Sequence, residues 1–241
     1  KVEDPTMMRT VNWEPWPYLA DLAHDFAVER EVIILKGKQL GLSVLVCGYS
    51  LWLILFHSNV KILFMSSSQD DSWKLLSKAQ FIYKRLPPFL QKKQLLDRKD
   101  GISFDNDSEI KALASTAKAG TGWTGTLVVR DELDFHPYGK ENFSNISPPI
   151  DAGMGKMIDL STVDPWKDPS QSHFVERYLK AKSGESNAKP VFLSWGLRPH
   201  RDPILTNEEW FEQIIKKKYS PLEIAKLYPT TEEEALKPGS T

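Results

Sequence analysis

The chain has 241 residues, 41% of them hydrophobic, enough for one large domain or a domain with a small appendage. A formal net charge of −1 excludes a binder driven by bulk electrostatics, so any contact with nucleic acid must come from a local patch. The single cysteine, Cys47, excludes an internal disulfide and suits an intracellular protein. The longest apolar run, broken at Gly48, Tyr49 and Ser50, is too short to span a bilayer, and the start at Lys1, with no leader, reads as a trimmed chain.

Residues 13–26, WEPWPYLADLAHDF, are an aromatic, proline-punctuated lead into an amphipathic helix. Trp16 and Tyr18 stand just upstream of the next loop, where they either staple the helix to a sheet or stack on a nucleotide base. Residues 32–35 form a β-branched apolar strand, residues 36–42 a polar loop, and a very apolar helix starts near Ser43. Strand, glycine-containing loop and helix N-terminus make an anion site, because unpaired N–H groups and the helix dipole face the ligand. Against the phosphate-loop pattern GxxxxGK[ST], Gly41 and Ser43 are retained. Lys36 replaces the first glycine, Leu42 replaces the lysine, and Lys38 is the displaced cation, with Lys36 as second candidate.

Residues 61–65 read as a second buried strand, and a helix is expected over 68–85, ended by Pro87 and Pro88. Between Lys84 and Lys99 stand six Lys/Arg against one acid, Asp97: either a phosphate-backbone patch or a solvated helix end. Residues 101–106 and 109–115 alternate around a turn and predict a hairpin. After a flexible, glycine-rich stretch, residues 126–129 form a buried strand running through Arg130 into Asp131 and Glu132. Adjacent carboxylates at the end of a central strand suit Mg²⁺ binding and activation of water. Another strand, 156–160, ends in Ser161 and Thr162. Beyond it lie a helix (174–182), a strand (191–195), a Pro/Arg turn (197–203) and two helices (208–218 and 221–227).

The aromatic lead, KGKQLGLS, VVRDE, the LST strand end and YPTTEEEAL together resemble the large terminase subunit of tailed bacteriophages. That resemblance implies a RecA-like P-loop α/β domain of the additional-strand, catalytic-glutamate class, with a mostly parallel sheet flanked by helices. It implies an ATPase core over 1–170, a lid subdomain over 171–241, and a nuclease domain expected after YPTTEEEAL and missing here. ATP and Mg²⁺ are the implied cofactors, with the loop Lys36, Gly37, Lys38, Gln39, Leu40, Gly41, Leu42 and Ser43 on the nucleotide and Trp16 near its base. Asp131 becomes the metal carboxylate with Ser43, Glu132 the catalytic base, and Ser161–Thr162 the coupling motif. The implied partners are double-stranded DNA, the portal protein, the small terminase subunit and other copies in a ring, in the host cytoplasm and transiently on the procapsid. A ring motor also needs a cation supplied in trans, for which Lys118 is preferred over Arg98 and Arg130, although Lys118 also reads as a solvated loop residue. A DNA helicase of the same superfamily and a non-catalytic DNA- or capsid-binding module are the rival readings.

Overall fold

The computed structural model describes residues 2–4, 9–153 and 155–237; Lys1 and Thr241, on which the expectation of a trimmed domain rests, lie outside them. The strands are β1 (Val2–Asp4), β2 (Arg9–Val11), β3 (Glu31–Lys36), β4 (Lys61–Ser66), β5 (Gln94–Asp97), β6 (Gly101–Phe104), β7 (Glu109–Ala114), β8 (Leu127–Asp131), β9 (Lys156–Ser161) and β10 (Lys189–Leu193). The principal helices are α1 (Pro17–Val28), α2 (Leu42–Phe56), α3 (Gln69–Tyr83), α4 (Gly139–Ala152) and α5 (His173–Lys182). Short helices α6 (Asn207–Trp210), α7 (Lys216–Lys218), α8 (Pro221–Leu227) and α9 (Glu232–Leu236) complete the C-terminal lobe, with a π-helical turn, Phe211–Ile215, joining α6 to α7.

β3 to β10 form one eight-stranded sheet in the order β10-β3-β9-β8-β4-β7-β6-β5. Pairing is parallel from β10 to β7 and antiparallel through β6 and β5. The central strands are apolar on consecutive residues because both faces are covered. Successive residues point to opposite faces. Val32, Ile34, Ile62, Phe64, Leu127 and Val129 pack under α1, α2 and α3. Ile33 and Leu35 meet Phe174, Val175 and Tyr178 of α5, while Leu63, Met65 and Val128 meet Ile146 and Ile150 of α4. The almost wholly apolar α2 is buried along most of its length, with Trp52 and Phe56 exposed, and no helix among the described residues is long and apolar enough to cross a membrane.

Two expectations are corrected, and one unassigned segment is filled. The core does not end at 170: α5 packs on the sheet and β10 pairs in register with β3, Leu193 opposite Lys36, so the sheet domain runs to Leu193. The last strand is Lys189–Leu193 rather than 191–195, and Pro190 is tolerated because β10 is an edge. The segment after the acids, unassigned from sequence, holds α4, whose buried residues Asn142, Ile146 and Ile150 recur every fourth position despite Pro148 and Pro149.

Candidate active site

In a parallel sheet the carboxyl ends of the strands lie along one edge, where ligands bind. β3 delivers the loop 37–41 to that edge, β8 delivers Asp131 and Glu132, and β9 delivers Ser161 and Thr162. The loop lines a cleft of about 1650 Å³, whose other walls include Trp13 and Trp16, Trp73, Lys78 and Phe81 of α3, Lys99 and Arg198.

The loop backbone is organised from outside. Lys38 O accepts from Arg201 Nη2 at 3.1 Å, Gln39 O from Arg198 Nη1 at 3.3 Å, and Leu40 O from the Tyr18 hydroxyl at 2.8 Å. The Gly37 and Lys38 N–H groups donate to Leu193 O and Leu227 O, both at 2.8 Å. The next five N–H groups, Gln39 to Ser43, find no acceptor among the described residues. Left-handed backbone at Gln39 (φ 61°) and Gly41 (φ 76°) shapes this run. Gly41 is required there, since a Cβ would stand 3.2 Å from the Trp16 ring. Consecutive free N–H groups running into the first turn of α2 form an anion cradle, reinforced by the helix dipole. Leu40 and Leu42 send their side chains into the core, so at the usual lysine position Leu42 offers only its N–H.

Lys36, not Lys38, is the lysine that touches the acids: its buried ammonium lies 2.8 Å from Glu132 Oε1. Glu132 occupies a left-handed turn (φ 53°) at the end of β8. Its Oε2 accepts from the Thr162 N–H at 3.3 Å and from the Thr162 hydroxyl at 3.4 Å. Burial raises the Glu132 pKa, but Lys36, the Thr162 N–H and Lys38 outweigh it, so the carboxyl stays below its usual value. Lys38 lines the cleft close enough to contribute to that field. Asp131 behaves oppositely: burial and then the Glu132 charge push it up to about 6, against the pull of Lys36 and Lys78. Its main-chain carbonyl accepts from His136 Nε2 at 2.9 Å, a histidine that burial pushes down to about 4 and keeps neutral.

The other expected residues divide. Thr162 reaches Glu132, whereas the Ser161 hydroxyl donates to Thr162 O and accepts from the Asp134 N–H, so Ser161 is a structural neighbour. Trp16 packs against the apolar core, as expected of a staple, and its ring also lines the cleft. Lys118 and Arg98 are exposed and do not line the cleft of their own chain. Arg130 is excluded as a cation for a neighbouring chain. It is wholly buried on the α4 face and locked to Asp159, Nε–Oδ1 2.7 Å and Nη2–Oδ2 2.5 Å. Sequence reading missed Tyr18, Arg198 and Arg201 as loop supports; the aromatic lead was the visible signal for the first and the Pro/Arg turn 197–203 for the other two.

The donor set suits a small hard cation. Asp131 carries under-compensated charge, and Ser43 offers a hydroxyl in the first turn of α2. Among the described residues no cluster of three or more His, Cys, Asp or Glu could cage a metal alone. Mg²⁺ characteristically takes only one or two protein carboxylates and shares its remaining positions with phosphate and water.

A phosphate cradle and an acid pair at the carboxyl edge of a parallel sheet define a nucleoside triphosphatase of the P-loop class. The model of the family described as the terminase large subunit, ATPase domain, matches residues 26–154, more than half of the chain, and the chain belongs to that family. Solved structures agree on the fold, which is RecA-like. The ATPase domain of the Thermus phage P74-26 large terminase superposes with TM-score 0.68 at 15% identity, covering 93% of this chain and 95% of that one. The bacteriophage HK97 large terminase gives TM-score 0.68 at 17% identity over 91% of this chain and 51% of its own. The large terminase of a thermophilic bacteriophage, in complex with ATP-gamma-S, gives 0.66 at 11% over 90% and 53%. The chain thus spans about half the length of these last two terminases. No curated protein matches it by sequence.

Proposed function

We propose that this domain binds ATP with Mg²⁺ in the cleft, hydrolyses it, and couples the cycle to the movement of double-stranded DNA into a viral capsid. The observation that carries this reading is the run of five N–H groups, Gln39 to Ser43, with no acceptor among the described residues, at the sheet edge that also holds Lys36, Asp131 and Glu132. In it the loop N–H groups and Lys38 hold phosphate oxygens, Ser43 and Asp131 hold Mg²⁺, and Trp16 offers an aromatic face to the base. Mg²⁺ would supply neutralisation of phosphate charge.

Glu132 is the base. Paired with Lys36 it is ionised but weakly basic, and its basicity recovers as Lys36 shares its charge with phosphate. Thr162 holds the second carboxylate oxygen, so any shift of Glu132 is passed to the end of β9. DNA cutting belongs, in this reading, to a separate nuclease domain. The portal, the small terminase subunit and further copies in a ring are the proposed partners, at the procapsid in the host cytoplasm.

Titration with a fluorescent methylanthraniloyl-ATP and steady-state phosphate release test the site. Glu132→Gln should bind nucleotide like wild type yet lose at least about a hundredfold in turnover. Absence of nucleotide binding by wild type, or normal turnover by the variant, would refute the assignment.

A further inference from the structure

We propose that Arg201 is a positioning residue that holds the phosphate loop in its anion-binding shape and makes that shape depend on the C-terminal lobe. The proposal rests on the loop being a nucleotide phosphate site. Arg201 is only 5% exposed, its guanidinium 5.0 Å from the Trp210 ring centre and 5.8 Å from that of Trp195. Nε and Nη2 donate to Trp195 O at 3.1 and 2.7 Å, and Nη2 also reaches Lys38 O at 3.1 Å. Nη1 is buried without a partner, and no carboxylate pairs with the group among the described residues. Burial, then Arg198, push its pKa down to about 10, which leaves it charged at neutral pH.

Burying a cation with no counter-charge is costly, and here its return is two carbonyls, one in the lobe and one in the loop. The bond to Trp195 O would suffice to pin the lobe to itself; the bond to Lys38 O acts on the loop. That loop needs an external hold. Gln39 adopts a left-handed conformation that a non-glycine residue takes reluctantly, and the loop lacks the first glycine of the usual pattern. The lobe grips the same place by two further contacts. Leu227 O accepts the Lys38 N–H, and the Trp195 backbone packs so close to Gly37 that a Cβ there would lie 3.0 Å from Trp195 Cα. Released from Arg201, the loop spends less time in the binding-competent form, and apparent affinity falls in proportion to that fraction.

The test compares wild type, Arg201→Gln and Arg201→Lys by methylanthraniloyl-ATP titration, steady-state kinetics and hydrogen exchange. Arg201→Gln should raise Kd and KM about tenfold or more, the effect of losing a charged hydrogen bond, with kcat within about twofold. Exchange should quicken in peptides covering residues 36–42 while β8 and β9 stay protected. Arg201→Lys, whose ammonium can still serve both carbonyls, should recover most of the affinity. Unchanged Kd in Arg201→Gln overturns the proposal. So does a fall in kcat at constant KM with protection lost across β8 and β9, since that reports a damaged fold. Failure of wild type to bind the nucleotide would instead refute the reading of the site, while loop exchange would still report the clamp.

Discussion

Replacing Asp131 by Asn should stabilise the fold at neutral pH and remove metal-dependent nucleotide binding. Burial and the Glu132 charge push the Asp131 pKa from 3.8 to about 6. A group whose folded-state pKa lies above its unfolded value adds stability that is fully present below the unfolded pKa and is lost as pH rises through the folded one. For Asp131 that window runs from about pH 4 to about pH 6. Each tenfold change in acid strength is worth about 1.4 kcal/mol, so at pH 7.5 the ionised carboxylate costs the fold about 1–3 kcal/mol, less where Lys36 and Lys78 swing closer. Asn keeps the shape and removes the charge, which for a domain of this size should raise Tm by roughly 3–10 °C. Urea and thermal unfolding of both proteins between pH 4 and 8 would show curves that converge on acidification. Methylanthraniloyl-ATP titrations with and without Mg²⁺ would show the variant indifferent to the metal. A variant less stable than wild type at pH 7.5, or a difference that persists at pH 4, would refute the reasoning.

Lys36→Met should reduce turnover by about a hundredfold or more and move the acidic limb of the pH–rate profile upward, because Glu132 and Asp131 both lose the cation that favours their charged forms. Its cost in stability should stay near 1 kcal/mol, since the Glu132 side chain is 37% exposed and solvent screens the pair; a denaturation series checks this. Arg130→Met should destabilise by about 3 kcal/mol in urea unfolding, because Asp159 keeps only Arg177, at 3.1 Å; a fully stable variant would show the pair to be dispensable. If Lys118 serves a neighbouring chain, turnover per chain should rise with protein concentration, and mixing Lys118→Ala chains into wild type should slow it at least about tenfold. Activity flat across concentration and indifferent to mixing would instead mark a self-sufficient monomer.

The strands were legible because parallel strands covered on both faces show as short apolar runs, and 32–35, 61–65, 126–129 and 156–160 each coincide with an observed strand to within two residues at either end. The acids were legible because apolar residues run straight into them. Alternation could also have placed Arg130: it shares the parity of Val128, which faces α4, and not that of Val129, which faces α2. Distant partners were not legible. Whether Lys36 or Lys38 meets Glu132 depends on where β8 stands relative to β3, and β9 lies between them. The boundary at 170 failed because β10 returns to the sheet edge after α5, a step that chain order alone does not disclose. α4 was hidden by Pro148 and Pro149, whose lost N–H donors are offset by a buried face that exists only against the sheet.

The three carbonyls that shape the phosphate loop are held by donors 22, 159 and 163 residues away in the chain. Loops closed over the two longer separations form late, because chain entropy must be surrendered before the contact returns anything. β3 itself must wait for β9 and β10 before both its edges are paired. During synthesis, therefore, the loop as a binding site comes into being only after the donors 159 and 163 residues downstream have been made. Refolding followed by nucleotide fluorescence should accordingly lag the signal from helix formation, so that the capacity to take up ATP certifies a finished domain.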